Sequence, residues 1–199
     1  MKQLLTQASD QLRYALLSFA LMTILCGVIY TGFVTGTAQL LFANQANGSV
    51  ISTDLGDGVE RDYGSALIGQ EFTRPEYLIG RPMGVTNLSP TGEEQRELVQ
   101  ERIEWWHGFD PDNHAEIPAD LVTASGSGVD PHITPAAAEY QVQRIAEARG
   151  IQVGSVRELI KQCSSGRFLG FWGEPSVNVL QVNLLLDQIQ QEEDQAGAF

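Results

Sequence analysis

Residues 14–53 contain no Asp, Glu, Lys, Arg or His, and the first half of that stretch, 14–33, is almost wholly apolar. A helix of about 20 such residues, rising about 1.5 Å per residue, runs about 30 Å, the thickness of a bilayer's hydrocarbon core. The chain is therefore expected to cross a membrane once, over residues 14–42 including a short extension of the helix. A cleaved leader is the competing reading, because Lys2 and Arg13 precede the apolar run. A leader core spans only about 7–15 residues and ends at a small-x-small site. Here Leu40, Leu41 and Phe42 interrupt the small residues Thr35, Thr37, Ala38, Ala43 and Ala46, which favours an uncleaved anchor.

Positive charge holds its end of a span on the cytoplasmic side. Lys2 and Arg13 lie before the span, whereas the first basic residue after it, Arg61, follows Asp54, Asp57 and Glu60. Residues 1–13 are thus expected to be cytoplasmic, with an extracytoplasmic domain over 43–191 and an acidic tail over 192–199. Without Lys2, Asp10 and Arg13 the chain keeps 10 basic and 24 acidic residues, a net charge of −14. Such a surface repels nucleic acid and anionic lipid. The roughly 150 residues after the span suffice for one compact domain. Cys26 in the span and Cys163 beyond it cannot readily meet, so neither a disulfide framework nor a zinc site is expected.

Periodicity and turn residues predict a mixed helix and strand (α+β) domain. Residues 65–68 and 77–79 read as extended pieces between turns. A helix is expected over 93–106, with Val99, Ile103 and Trp106 inward and Gly108 and Pro111 as its stop. A short helix over 118–124 then enters the loop Ser125-Gly126-Ser127-Gly128. Thr134 as N-cap, Pro135 at the first helical position and Gly150 as terminator delimit one helix over 135–149. Its apolar side is Ala138, Val142, Ile145 and Ala146, leaving Gln141, Arg144 and Glu147 nearer solvent or a partner. Ser155 and Glu158 have capping-box spacing ahead of Val156, Leu159, Ile160 and Cys163. Residues 177–189 read as a strand entering a helix or as one helix, with the tail frayed from Glu192.

Catalytic motifs are scarce. The glycines at 126 and 128 are followed by Val129 and Asp130 rather than Lys and Ser/Thr, so a turn is the better reading than a phosphate loop. Ser127 lacks the first glycine of a nucleophile elbow, and His132 in its Asp130-Pro131-His132 turn reads as a structural hydrogen-bonding residue. His107 and His114 flank Asp110 and Asp112 in a polar loop that superficially resembles a metal cluster; with nothing in the sequence to order it, a solvated surface is expected. One span cannot enclose a hydrophilic path alone. Ser18, Thr23, Gly27 and Gly32 give it a face on which a neighbouring helix can dock.

The segments without a chemical reading are the recognisable ones: Gln45-Ala46-Asn47-Gly48-Ser49, the run from Gly64 to Phe72, Gly80-Arg81-Pro82, and the blocks 121–150 and 173–189. Together they resemble the C subunits of the Kdp potassium-transporting P-type ATPases, in the same order from the span to the last helix. Met83-Gly84 departs from the Ser-Ala usual there, and residues 85–117 match little. The resemblance implies a non-catalytic accessory subunit of a bacterial inner-membrane complex. Its partners would be a channel-like potassium-binding subunit, an ATP-hydrolysing pump subunit and membrane lipid. This chain lacks the Asp-Lys-Thr-Gly motif of the pump itself.

The resemblance also implies a catalytic chaperone that raises the pump subunit's affinity for ATP, with Gln141 touching the nucleotide; no catalytic residue, metal or firmly held cofactor is implied for this chain. An extracytoplasmic Gln141 and cytoplasmic ATP are incompatible, so the orientation read from charge favours indirect coupling. The domain would then cap the channel subunit's outer mouth, its acidic surface enriching potassium within about 8–10 Å of the entrance. The alternatives are a membrane-tethered hydrolase using Ser127, Asp130 and His132, or an extracytoplasmic binding domain acting alone.

Overall fold

A computed structural model describes residues 2–54 and 58–196, which divide into two units, Met1–Ser49 and Val50–Phe199. In the first unit, helix α1 (Lys2–Met22) runs through a π-wound stretch, Thr23–Tyr30, into α2 (Thr31–Leu41). The wider winding lets the Thr31 hydroxyl donate to the Cys26 carbonyl, five residues back, at 2.8 Å. Residues Asp10–Leu41 form one continuous helix that contains an 18-residue apolar window of mean hydropathy 2.0, none of it buried. A helix exposing Phe19, Phe33 and Leu40 in this way needs an apolar surrounding. Phe42 leaves the helical backbone before the single turn α3 (Ala43–Ala46), where Asn47 donates to the Ala43 carbonyl at 2.8 Å.

The second unit opens with an antiparallel hairpin, β1 (Val50–Thr53) and β2 (Arg61–Ser65), with a bulge between Ile51 and Ser52. Helix α4 (Glu93–Phe109) and a 3₁₀ turn at Ala119–Leu121 precede β3 (His132–Ile133), α5 (Pro135–Tyr140), α6 (Val142–Arg149) and α7 (Val153–Gln162). Strands β4 (Ser164–Ser165) and β5 (Ser176–Asn178) then lead into α8 (Val179–Ala196). The three short strands form an antiparallel sheet in the order β3-β5-β4, with Ile133 and Ser164 flanking Val177. Ile145, Val142, Val156, Val177, Val182, Leu186, Leu78 and Trp106 make the core between these helices and the sheet. Mixed α+β class with one candidate span is the observed architecture.

Several expected boundaries move. Helix α4 runs past Gly108 to Phe109, and only Ala119–Leu121 of the expected short helix turns, as 3₁₀. Helix α7 starts at Val153 after Gln152, which places Ser155 and Glu158 inside it rather than in a capping box. Residues 177–189 are a strand end followed by a helix, which is assigned as far as Ala196. The helix over 135–149 keeps its expected ends: the Thr134 hydroxyl accepts from the Ala137 N–H at 3.3 Å, and Gly150 is left-handed at φ 68°. It is broken in its middle, at Gln141.

Candidate functional site

The break has a local cause. The Gln141 N–H bonds to the Ala138 carbonyl at 3.1 Å, one residue short of α-helical register. The Ala137 carbonyl that it forgoes accepts instead from the Gln141 side-chain Nε2, also at 3.1 Å. Side-chain amide thus replaces backbone amide, and the carboxamide turns inward. It is 0% exposed. Its Oε1 accepts from the Ile79 N–H at 2.8 Å and from Arg144 Nη2 at 2.7 Å, while Nε2 also donates to the Ile79 carbonyl at 2.9 Å. Two donors and two acceptors exhaust a carboxamide's ordinary capacity. As the chain is folded here, all four of these bonds of the Gln141 carboxamide are made within the domain.

Asn183, 1% exposed on α8, does the same for the preceding residue: Oδ1 accepts from the Leu78 N–H at 2.8 Å and Nδ2 donates to the Leu78 carbonyl at 2.9 Å. Two arginines complete the set. Arg144 donates to the carbonyls of Pro75 and Tyr77. Arg149 donates to the Glu76 carbonyl at 2.7 Å, to the Leu186 carbonyl at 2.9 Å and to Asp187 at 2.7 Å. Five consecutive carbonyls, residues 75–79, are therefore each taken by a side chain from α6, α8 or the α5–α6 junction. Residues 77–79, expected as extended, belong to neither sheet; side chains supply what a neighbouring strand would.

The electrostatics follow from burial. Arg144 is 6% exposed, and loss of solvent pulls its guanidinium down to about 10, against the opposing pull of Asp110, Tyr140 and Glu76. It remains charged at neutral pH, with its guanidinium carbon 5.0 Å from the Phe109 ring centroid. Burial, then the charge of Asp187, raises the Tyr77 hydroxyl above its usual value; that hydroxyl donates to Asp187 at 3.1 Å. Gln141 and Arg144 were expected nearer solvent and are instead interior, whereas Glu147 is exposed as expected.

The other recognisable motifs also serve the fold. Arg81 of Gly80-Arg81-Pro82 donates to Asp120 at 2.6 Å, and the other oxygen of Asp120 accepts from the Thr134 N–H at 2.7 Å, which fastens that motif to the start of α5. The Gly69 N–H donates to the Val129 carbonyl at 2.7 Å; a Cβ on Gly69 would lie 2.6 Å from the Asp130 carbonyl oxygen. Gly128 at φ 70° receives the Gly84 N–H at 2.9 Å on its carbonyl. Gly128 in the 125–128 loop thus permits close passage of the segment at Gly84, whereas Gly126 faces open space.

Ser127, Asp130 and His132 do not assemble as a triad. The Ser127 hydroxyl pairs with Ser125 at 3.2 Å and accepts from the Val129 N–H. Asp130 accepts from the His132 backbone N–H at 3.0 Å and lies 3.6 Å from Nδ1 of its ring. Asp110, Asp112, Glu116, Glu139, Glu147 and His114 line an open groove of about 560 Å³. Among the described residues no three His, Cys, Asp or Glu are grouped to hold a metal ion. The groove's loop is more ordered than its composition suggests, because Asn113 bonds Asp110 at 3.1 Å and the Tyr140 carbonyl at 2.8 Å.

Sequence reasoning missed Asn183, Arg149 and Asp120. The available signal was a polar residue inside an apolar helical run, as with Asn183 in Val179-Leu180-Gln181-Val182-Asn183-Leu184-Leu185.

The fold and this interior network define a helix-bearing α+β protein whose distinctive polar residues hold its own backbone. Residues 12–188 match the family described as "KdpC: K+-transporting ATPase, c chain". The Potassium-transporting ATPase KdpC subunit of Listeria monocytogenes serotype 4a (strain HCC23) is 56% identical over 179 residues, 88% of this chain and 94% of the relative. The proteins of the same name from Clostridium perfringens (strain ATCC 13124) and Herpetosiphon aurantiacus (strain ATCC 23779) are 46% identical over 200 residues and 47% over 190. They align with 91% and 89% of this chain and with 98% and 96% of their own lengths. The chain belongs to the KdpC family.

Proposed function

We propose that this chain is a non-catalytic accessory subunit of an ATP-driven potassium uptake complex. It is anchored in the bacterial inner membrane by one helix, with its N-terminus cytoplasmic and its α+β domain outside. Family membership and the apolar window within Asp10–Leu41 support the setting; the charge asymmetry around that window supports the orientation. Within the complex the domain braces a channel-like potassium-binding subunit at its outer mouth and raises the ATP affinity of a separate pump subunit from a distance. ATP is the pump subunit's ligand, and this chain takes no cofactor of its own. A tenfold gain in ATP affinity needs only about 1.4 kcal/mol of coupling, within reach of an interface far from the nucleotide.

The observation that carries the indirect route is the saturated, interior carboxamide of Gln141. Its role is to hold residue 79 against the α5–α6 junction. The test is sidedness: in a chain with Cys26 and Cys163 replaced by alanine, a cysteine at exposed Ser155 is treated with an impermeant maleimide in intact spheroplasts. Labelling is the expected result. Protection until the membrane is permeabilised would place the domain beside cytoplasmic ATP and overturn the indirect route.

A further inference from the structure

Between β4 and β5 the chain makes a tight hairpin whose end is Phe168-Leu169-Gly170-Phe171-Trp172. Its large side chains are 70, 72, 70 and 70% exposed, in the order Phe168, Leu169, Phe171, Trp172. The turn is well defined: Phe168 and Trp172 exchange both backbone bonds, at 2.8 and 3.0 Å, and the Gly170 N–H bonds to the Arg167 carbonyl at 3.0 Å. Leu169 sits at φ 52°, in the left-handed region that a leucine rarely adopts. The fold thus holds an apolar side chain outward on strained backbone instead of using glycine there.

We propose that this tip seats in the headgroup–acyl boundary of the bilayer that carries the chain's own apolar helix. The inference rests on the membrane anchoring within the proposed function, and not on potassium transport. Three features select lipid. The tip is a convex turn, and the only side-chain hydrogen-bonding group in residues 168–173 is the Trp172 indole N–H. A phenylalanine, leucine and tryptophan set of this kind suits a fluid boundary in which the indole body meets acyl chains and its N–H meets headgroups. Charge agrees: residues 163–173 carry no Asp or Glu and one basic residue, Arg167, which pairs with Glu174 at 3.7 Å, in a chain of net charge −13. The hairpin is thus close to neutral where contact is proposed, unlike the acidic domain as a whole. Finally, only Asn47, Gly48 and Ser49 separate the last helical turn of the anchor unit from β1, so the chain tethers the domain to its apolar helix by three residues.

The test uses the full chain reconstituted in phosphatidylcholine vesicles whose acyl chains are brominated at a shallow or a deep position. Fluorescence of Trp172 is taken as the difference between the wild-type chain and Trp172→Phe. At least twofold quenching by the shallow bromines, weaker quenching by the deep ones, and loss of most of it in Leu169→Asp are expected. Near-ultraviolet circular dichroism of the cluster of Trp105, Trp106, Phe109 and Tyr140 checks that both variants remain folded. If either does not, quenching of a fluorophore on a cysteine at Gly170 in the Cys26→Ala, Cys163→Ala chain gives the same reading. Vesicle flotation of the chain with no quenching overturns the proposal. So does shielding of Trp172 from aqueous iodide only after larger membrane subunits are added, which would assign the tip to a protein partner. Failure of the chain to float overturns the anchoring itself.

Discussion

Residues 75–79 and residues 166–173 are both irregular segments outside the main secondary structure, and they solve opposite problems. The first is a run of backbone carbonyls drawn into the interior, each taken by a side chain of Gln141, Arg144, Arg149 or Asn183. The second satisfies its backbone by its own short hairpin and leaves its apolar side chains outside. Interior polar groups without partners cost about 1–3 kcal/mol each, so the first segment is committed to one position. The second commits nothing to the domain's interior and is free to engage an external phase. Stability should therefore depend on the first and barely on the second.

Arg149→Ala should give the largest effect. It removes a side chain only 5% exposed that serves two carbonyls and Asp187, and breaking a buried pair costs about 3–5 kcal/mol. Thermal unfolding of the full chain in detergent would measure it; a shift no larger than that of a surface variant would remove the distinction between the two segments. Asn183→Leu keeps similar volume but orphans the N–H and carbonyl of Leu78, and should cost about 2–3 kcal/mol in the same assay.

Cys163 lies at the root of the exposed hairpin, and burial pushes its thiol from 9.0 up to about 11. The folded state therefore holds its proton longer than the unfolded chain does. The resulting stabilisation is complete below about pH 9 and lost as pH rises through about 11. Alkylation by iodoacetamide between pH 8 and 9 should be roughly tenfold slower in the folded chain than in urea, since its thiolate fraction is about fifty- to ninetyfold lower and the greater nucleophilicity of a higher-pKa thiolate recovers part of that. Equal rates would show that the root is as open as the tip. Phe171→Ser should shift unfolding by no more than about 0.5 kcal/mol. A larger loss would mean that the tip packs on the domain after all.

What the sequence made legible were features whose cause is local. Thr134, Pro135 and Gly150 set the ends of α5 and α6 within one turn of themselves, and Val99, Ile103 and Trp106 mark the inner side of α4 by spacing alone. The apolar run of the first unit is of the same kind. The Gln141 break was not legible, because the local exchange at the Ala137 carbonyl is held in place by the N–H and carbonyl of Ile79, 62 positions away. Read on a helical wheel, Gln141 and Arg144 are polar and belong outside; only the distant backbone that they serve brings them in. The Asp130-Pro131-His132 turn was legible, since the His132 N–H bonds to Asp130 only two residues away. The order that Asn113 imposes on the loop at 110–115 was not, since it depends on the carbonyl of Tyr140, 27 positions away.

The Leu78–Asn183 pairing spans 105 positions, and this sets the order in which the molecule can be built. Residue 78 emerges from the ribosome long before its carboxamide partner, so during synthesis it has only water for company. Contacts of such long reach form late and together. The last helix therefore acts as a keystone: until it arrives, the hairpin and α4 are an unfinished arch.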